Sequence, residues 1–113
     1  LYAGRVHPEK GLDWLIDAFG LTVRRCPHFR LTLVGPWRED QGGAGAVYRD
    51  RLRMRSRGLP VSFIDPEFSA DRLAEIYRAH SVLVYPSLSD HGETFGLAPL
   101  EAMACGTVPI VSA

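Results

Sequence analysis

The stretch SLSDHGETFGLAPLEAMACGTVPIVSA, Ser87 to Ala113, decides how the rest of the chain is read. Leu100, Ala102, Met103 and Ala104 form a helix-favouring run in which Pro99 suits the first helical position and Gly106 a left-handed C-terminal cap. A helix starting near Pro99 leaves the N–H groups of Gly96, Leu97 and Ala98 without intrahelical acceptors, at the positive end of its dipole. Such an end holds an anion, most often a phosphate. Thr107 to Val111 then reads as a strand.

Two carboxylates, Glu93 and Glu101, stand eight positions apart in this stretch. Along one unbroken helix that spacing would separate them by roughly 12 Å, too far to share one bond. Gly96 and Pro99 break such a helix in any case. Glu93 therefore belongs to the loop and Glu101 to the first helical turn, and they would touch different parts of one ligand. A second reading makes Glu101 a complement to the dipole and Glu93 a solvated loop residue; spacing alone does not choose between the two.

Upstream, Ser81 to Tyr85 (SVLVY) is a strand, preceded by a helix with Ser69 as its cap, Asp71 in its first turn and a buried stripe of Leu73, Ile76 and Tyr77. Val61 to Ile64 is another strand. In AVYRDRLRMRSRG, Arg49, Arg51, Arg53, Arg55 and Arg57 alternate with other residues. A strand would line them on one face but leave no clean core face opposite. A helix ending at Gly58 fits better, with its arginines solvated. Pro36 to Gly45 has no pattern and reads as a mobile loop. Phe29 to Gly35 (FRLTLVG) is a strand, and Leu12, Leu15, Ile16, Phe19 and Val23 form the stripe of a helix ended by Pro27, with Trp14 packing beside it. Leu1 to Val6 is a short buried strand. The alternation predicts an α/β fold with a doubly wound parallel, Rossmann-like sheet. In the strand order 3-2-1-4-5 the loops after strands one and four would flank the switch point, where ligands bind.

Length and composition set outer limits. The 113 residues make one domain, and with 13 basic and 13 acidic residues no global field draws it to nucleic acid or acidic lipid. Cys26 and Cys105 lie far apart, without C-x-x-C spacing, as reduced thiols in a cytoplasmic setting would. Cys105 is expected to pack behind its helix. No apolar run nears the roughly 20 residues of a membrane span, and no signal-peptide pattern is present. His7, His28, His80 and His91 are scattered, and no D-x-D pair occurs, so no metal is expected. His91 reads either as a surface loop residue or as a ligand contact. A start at Leu1 and a stop after a strand-like run read as a fragment.

The pattern E-x-F-G-L-x-x-L-E-A-M-A-C-G, Glu93 to Gly106, resembles the donor-binding signature of retaining GT-B glycosyltransferases, the group of glycogen, sucrose and mannosyl-lipid synthases. The loop GRVHPEKG is similar to the same family's G-R-x-x-x-x-K-G at Gly4, Arg5, Lys10 and Gly11. The resemblance implies that residues 1–113 are a partial donor-binding domain, the C-terminal half of a GT-B architecture, and that an N-terminal acceptor-binding domain of the same chain is absent. It implies transfer of a glycosyl group from a nucleotide-diphosphate sugar to an acceptor with retention, without cofactor or metal. Glu93 would contact the sugar and Glu101 the ribose. Phe95, Gly96 and Leu97 would meet the sugar and distal phosphate through their backbone, and Arg5 and Lys10 the pyrophosphate. Any membrane association would be peripheral, through the absent domain.

Gly35-Pro36-Trp37 stands where the family often has a glycine-rich turn, and Asp65 where it has glycine. Trp37 either shapes the base side of the site or covers the sheet edge. Among rivals, a non-catalytic nucleotide-sugar-binding module would tolerate loss of Glu93. A receiver would need acids where Arg5 and Lys10 stand, and a dinucleotide reader would need G-x-G-x-x-G.

Overall fold

The computed structural model describes residues 1–88 and 96–112. In chain order it contains β1 (Tyr2–Ala3), α1 (Leu12–Arg25), β2 (Leu31–Val34), α2 (Gly45–Arg55), β3 (Val61–Ile64), α3 (Ala70–Arg78), β4 (Val82–Tyr85), α4 (Leu97–Ala104) and β5 (Val108–Val111). β1 pairs with β2, β2 with β3 and β4 with β5, all in parallel. Leu1 joins the two sets: its N donates to the Val82 carbonyl at 2.9 Å, and its carbonyl accepts from Val84 N–H at 2.8 Å. The spatial order is therefore β3-β2-β1-β4-β5, with the topological switch between β1 and β4.

Side-chain alternation along these strands divides the core in two. Tyr2, Leu31 and Leu33 face one way and pack with Leu12, Ile16 and Phe19 of α1 and with Tyr48 and Leu52 of α2. Ala3, Val34 and Leu83 face the other way, against Tyr77 of α3 and Ala102 of α4, with Cys105 packed at the margin.

Several local expectations are corrected. β1 is two residues long because the chain turns at Gly4, although Val6 N–H still reaches the Pro36 carbonyl at 2.8 Å. β2 starts at Leu31, since a turn after Pro27 leaves Phe29 exposed. Trp14 does not pack: it is 67% exposed. Ser69 precedes α3 but its side chain makes no capping bond; its N–H donates instead to Glu67 Oε1. The Pro36–Gly45 segment has a pattern after all. A 3-10 turn at Glu39–Gln41 is pinned by Gly43 N–H to Arg38 O, Ala44 N–H to Val6 O and Gly45 N–H to Trp37 O.

The arginines of α2 are not simply solvated. In a helix a period of two gives two i,i+4 pairs on different faces. Arg51 and Arg55 meet the matching i,i+4 acids Asp13 and Asp17 of α1, and Arg55 holds the Asp17 carboxyl below its ordinary range. Arg49 stacks on Trp37 at 3.9 Å and Arg53 lies 5.5 Å from the Phe63 ring centre.

One glycine controls how the two switch-point loops meet. Gly11 starts α1 at φ +68°, and a Cβ there would lie 2.2 Å from the Pro86 carbonyl oxygen, in the loop after β4. Gly11→Ala is expected to cost more than about 2 kcal/mol in urea unfolding, because left-handed strain and a backbone collision combine. A loss under about 1 kcal/mol would show that these loops separate freely.

Candidate functional site

The loop after β1 carries the first cations. A 3-10 turn at Pro8–Lys10 leads into α1, and His7 Nδ1 accepts from Glu9 N–H at its start. Arg5 is half-exposed. Its guanidinium donates to Glu9 Oε1 at 2.6 Å and to the Gly42 carbonyl at 3.0 Å. Lys10 is buried: it is 4% exposed, its Nζ 5.9 Å from the Tyr85 ring centre and 4.0 Å from Glu9 Oε1. Glu9 thus lies among Arg5, Lys10 and His7, the last at 3.6 Å. Gly4 donates its N–H to the Val34 carbonyl at 3.0 Å, so its contribution to a ligand would be room rather than a hydrogen bond.

Tyr85, the last residue of β4, connects this loop to α4. Its ring stacks on Tyr2 at 6.3 Å and lies beneath Lys10. Gly96 stands against the same ring: a Cβ at Gly96 would come within 2.7 Å of Tyr85. Leu88 N–H bonds the Glu9 carbonyl at 2.7 Å and ties the loop after β4 to the loop after β1. The buried lysine, the start of the helix and both switch-point loops thereby converge on one tyrosine. The carboxyl-end rule could have marked Tyr85 from the sequence, since it closes a strand immediately before the signature loop.

α4 begins at Leu97 rather than Pro99. Pro99 is the third helical residue, a position whose N–H would have no intrahelical acceptor anyway. The N–H groups of Gly96, Leu97 and Ala98 keep the expected place at the helix start. Gly106 follows the helix at φ +80°, as a left-handed cap should. Glu101 moves to the fifth helical position, beyond the first turn, where the dipole is weak. Its carboxylate has a specific partner instead: Tyr77 Oη donates to Glu101 Oε2 at 2.9 Å. Glu93, Phe95 and His91 lie outside the described residues.

Burial, then the bond to Glu101 and its charge, raise the Tyr77 phenol above the ordinary tyrosine range; burial and Asp13 do the same for Tyr48. Both phenols keep their protons in the fold after unfolded tyrosines have begun to ionise. Their contribution to stability is complete below about pH 10 and is lost as pH rises beyond it. Urea midpoints should hold from pH 7 to about 9 and fall above about 10, less steeply in Tyr77→Phe. An unchanged alkaline slope in Tyr77→Phe would remove Tyr77 from this account.

At the carboxyl ends of β2 and β3, a cavity of about 20 Å³ is lined by Gly35, Trp37, Arg49, Arg53, Phe63 and Asp65 among others. It has room for a water molecule, not a base. Trp37 packs on the core beneath Arg49. No helix among the described residues is long and apolar enough to cross a membrane.

Residues 1–113 match the family described as Glycosyl transferases group 1, of the GT-B type. This chain is a member of the group 1 glycosyltransferases. The glycosyltransferase domain is similar to the protein named D-inositol 3-phosphate glycosyltransferase from Streptomyces bingchenggensis, 39% identical over 116 residues, covering 100% of this chain and 25% of that protein. Proteins of the same name from Acidothermus cellulolyticus (38% over 120 residues, 100% and 25%) and Frankia alni (37% over 116, 100% and 28%) match alike. The domain spans about a quarter of the length of these relatives.

Proposed function

We propose that this domain binds the donor of the reaction, a nucleotide-diphosphate sugar, and that the longer protein transfers the glycosyl group to an acceptor with retention. The observation that carries the reading is the convergence on Tyr85 of Lys10, the start of α4 and the two switch-point loops. Lys10 and the start of α4 each favour negative charge, and held together by the two loops they suit a diphosphate better than either would alone.

In the reaction the nucleoside diphosphate departs with increasing charge on its phosphate oxygen. Lys10, Arg5 and the amides of Gly96 and Leu97 would stabilise that charge, so the step needs no metal. Glu101 would accept hydrogen bonds from the ribose hydroxyls, and Glu93 would contact the transferred sugar. A second, N-terminal domain would supply the acceptor and close the cleft against water. Orientation of both reactants contributes about 7 to 11 kcal/mol to such reactions, so residues 1–113 alone should bind nucleotide weakly and transfer nothing. The relatives' name makes an inositol phosphate the first acceptor to try.

The test is calorimetric titration of the full-length protein with nucleoside, monophosphate and diphosphate. Affinity should rise along that series, and Lys10→Ala should erase much of the rise; equal affinity for all three would overturn the reading. Transfer should persist in excess EDTA, and strict loss restored by a divalent ion would make the enzyme metal-dependent.

Glu9 refines this expectation. Its carboxylate already occupies Arg5 and must yield that guanidinium to the diphosphate. Glu9→Gln should therefore tighten diphosphate binding by about two- to tenfold, the scale of one charge-assisted bond. Weaker binding in Glu9→Gln would show that Glu9 orients Arg5 instead of competing for it.

A further inference from the structure

We infer that Tyr77 is a positioning residue for nucleotide recognition, acting through Glu101; the inference rests on the assignment of Glu101 to the ribose. Glu101 is solvent-exposed, yet one of its oxygens is held at 2.9 Å by a phenol that is 1% exposed. A free surface glutamate samples many rotamers, and a ligand that orders it pays that entropy on binding. Here the fold meets part of that cost beforehand. Oε2 is fixed by Tyr77 while Oε1 and the remaining lone pairs stay open to a diol.

The phenol itself is rigidly mounted. Its ring is packed in the core among Leu1, Ala3, Val34, Leu83 and Ala102. Its backbone carbonyl accepts from the buried Thr107 hydroxyl at 2.6 Å, and Thr107 N–H bonds the Ala102 carbonyl at the end of α4. Tyr77 thus ties α3 to α4 through the Glu101 carboxylate and to the turn before β5 through Thr107. A buried tyrosine needs some hydrogen-bond partner, and a backbone carbonyl would suffice. Choosing the exposed carboxylate couples the core to the site.

The experiment uses the full-length protein and whichever of UDP, GDP or ADP binds it most tightly, beside its 2′,3′-dideoxy analogue. The ratio of the two dissociation constants measures the ribose preference. Tyr77→Phe should shrink that ratio by between about twofold and tenfold, the scale of one hydrogen bond, while leaving affinity for the dideoxy analogue unchanged. On a Glu101→Ala background the same substitution should change nothing. If Glu101→Ala keeps the ribose preference, the assignment of Glu101 fails; if Glu101→Ala loses it but Tyr77→Phe keeps it, the inference about Tyr77 fails. Equal weakening of both ligands by Tyr77→Phe also overturns it, because a merely structural role would act that way. Should Tyr77→Phe not fold, Glu101→Asp retains the charge but draws it back from the phenol. Its ribose preference should be lost, and retention would refute positioning.

Discussion

Lys10→Met in the full-length enzyme is expected to lower kcat for glycosyl transfer by about 100- to 1000-fold while the protein stays folded. That is the scale on which a preorganised charge aimed at a developing oxyanion acts in a water-poor site. Methionine suits the test because Lys10 is buried, its stem filling space beside Tyr85. Methionine keeps an unbranched chain of similar length without the ammonium, whereas alanine would also leave a cavity. Charge at the leaving group rises along the reaction, so KM for the donor should change less than kcat. A variant that keeps more than about a tenth of the turnover would show that the departing diphosphate is neutralised elsewhere.

Glu101→Ala should weaken nucleotide and nucleotide sugar alike, by about 1.5 to 3 kcal/mol, or roughly 10- to 150-fold, because the proposed hydrogen bond from ribose to its carboxylate would serve both ligands. It also leaves the Tyr77 hydroxyl without its acceptor, so some stability should be lost. Glu93→Ala should spare the free nucleotide and impair transfer, since the sugar is absent from the nucleotide alone. Titration of both variants with nucleotide and with donor separates the roles. If Glu93→Ala weakens UDP, GDP or ADP as much as Glu101→Ala does, the division between the two glutamates is wrong. If Glu93→Ala leaves transfer intact, the full-length protein does not use Glu93 in the chemistry.

Much of this domain was legible in one dimension. Strong periodicity placed α1 and its stripe of Leu12, Leu15, Ile16 and Phe19, and branched runs placed β3 at Val61–Ile64 without error. The order 3-2-1-4-5 followed because short crossovers between parallel strands allow few topologies. The signature from Glu93 to Gly106 and the GRVHPEKG loop identified the family, since a long mixed pattern has few other causes.

Partnerships across the chain were not legible. Residue type marked Arg5 and Lys10 as cations, but only folding places Arg5 on Glu9 and buries Lys10 against Tyr85, 75 positions away in sequence. Arg51 and Arg55 read as solvated until α2 lay beside Asp13 and Asp17 of α1. Tyr77 belonged to an apolar stripe, and nothing local showed that its hydroxyl would reach Glu101, 24 residues on. By itself the sequence determined the elements, their order and the family, because periodicity, turn chemistry and motif spacing are local properties of the chain. The tertiary structure alone decided which charges are paired, which are buried and which tyrosine holds which carboxylate, because those depend on distances that exist only after the strands have paired.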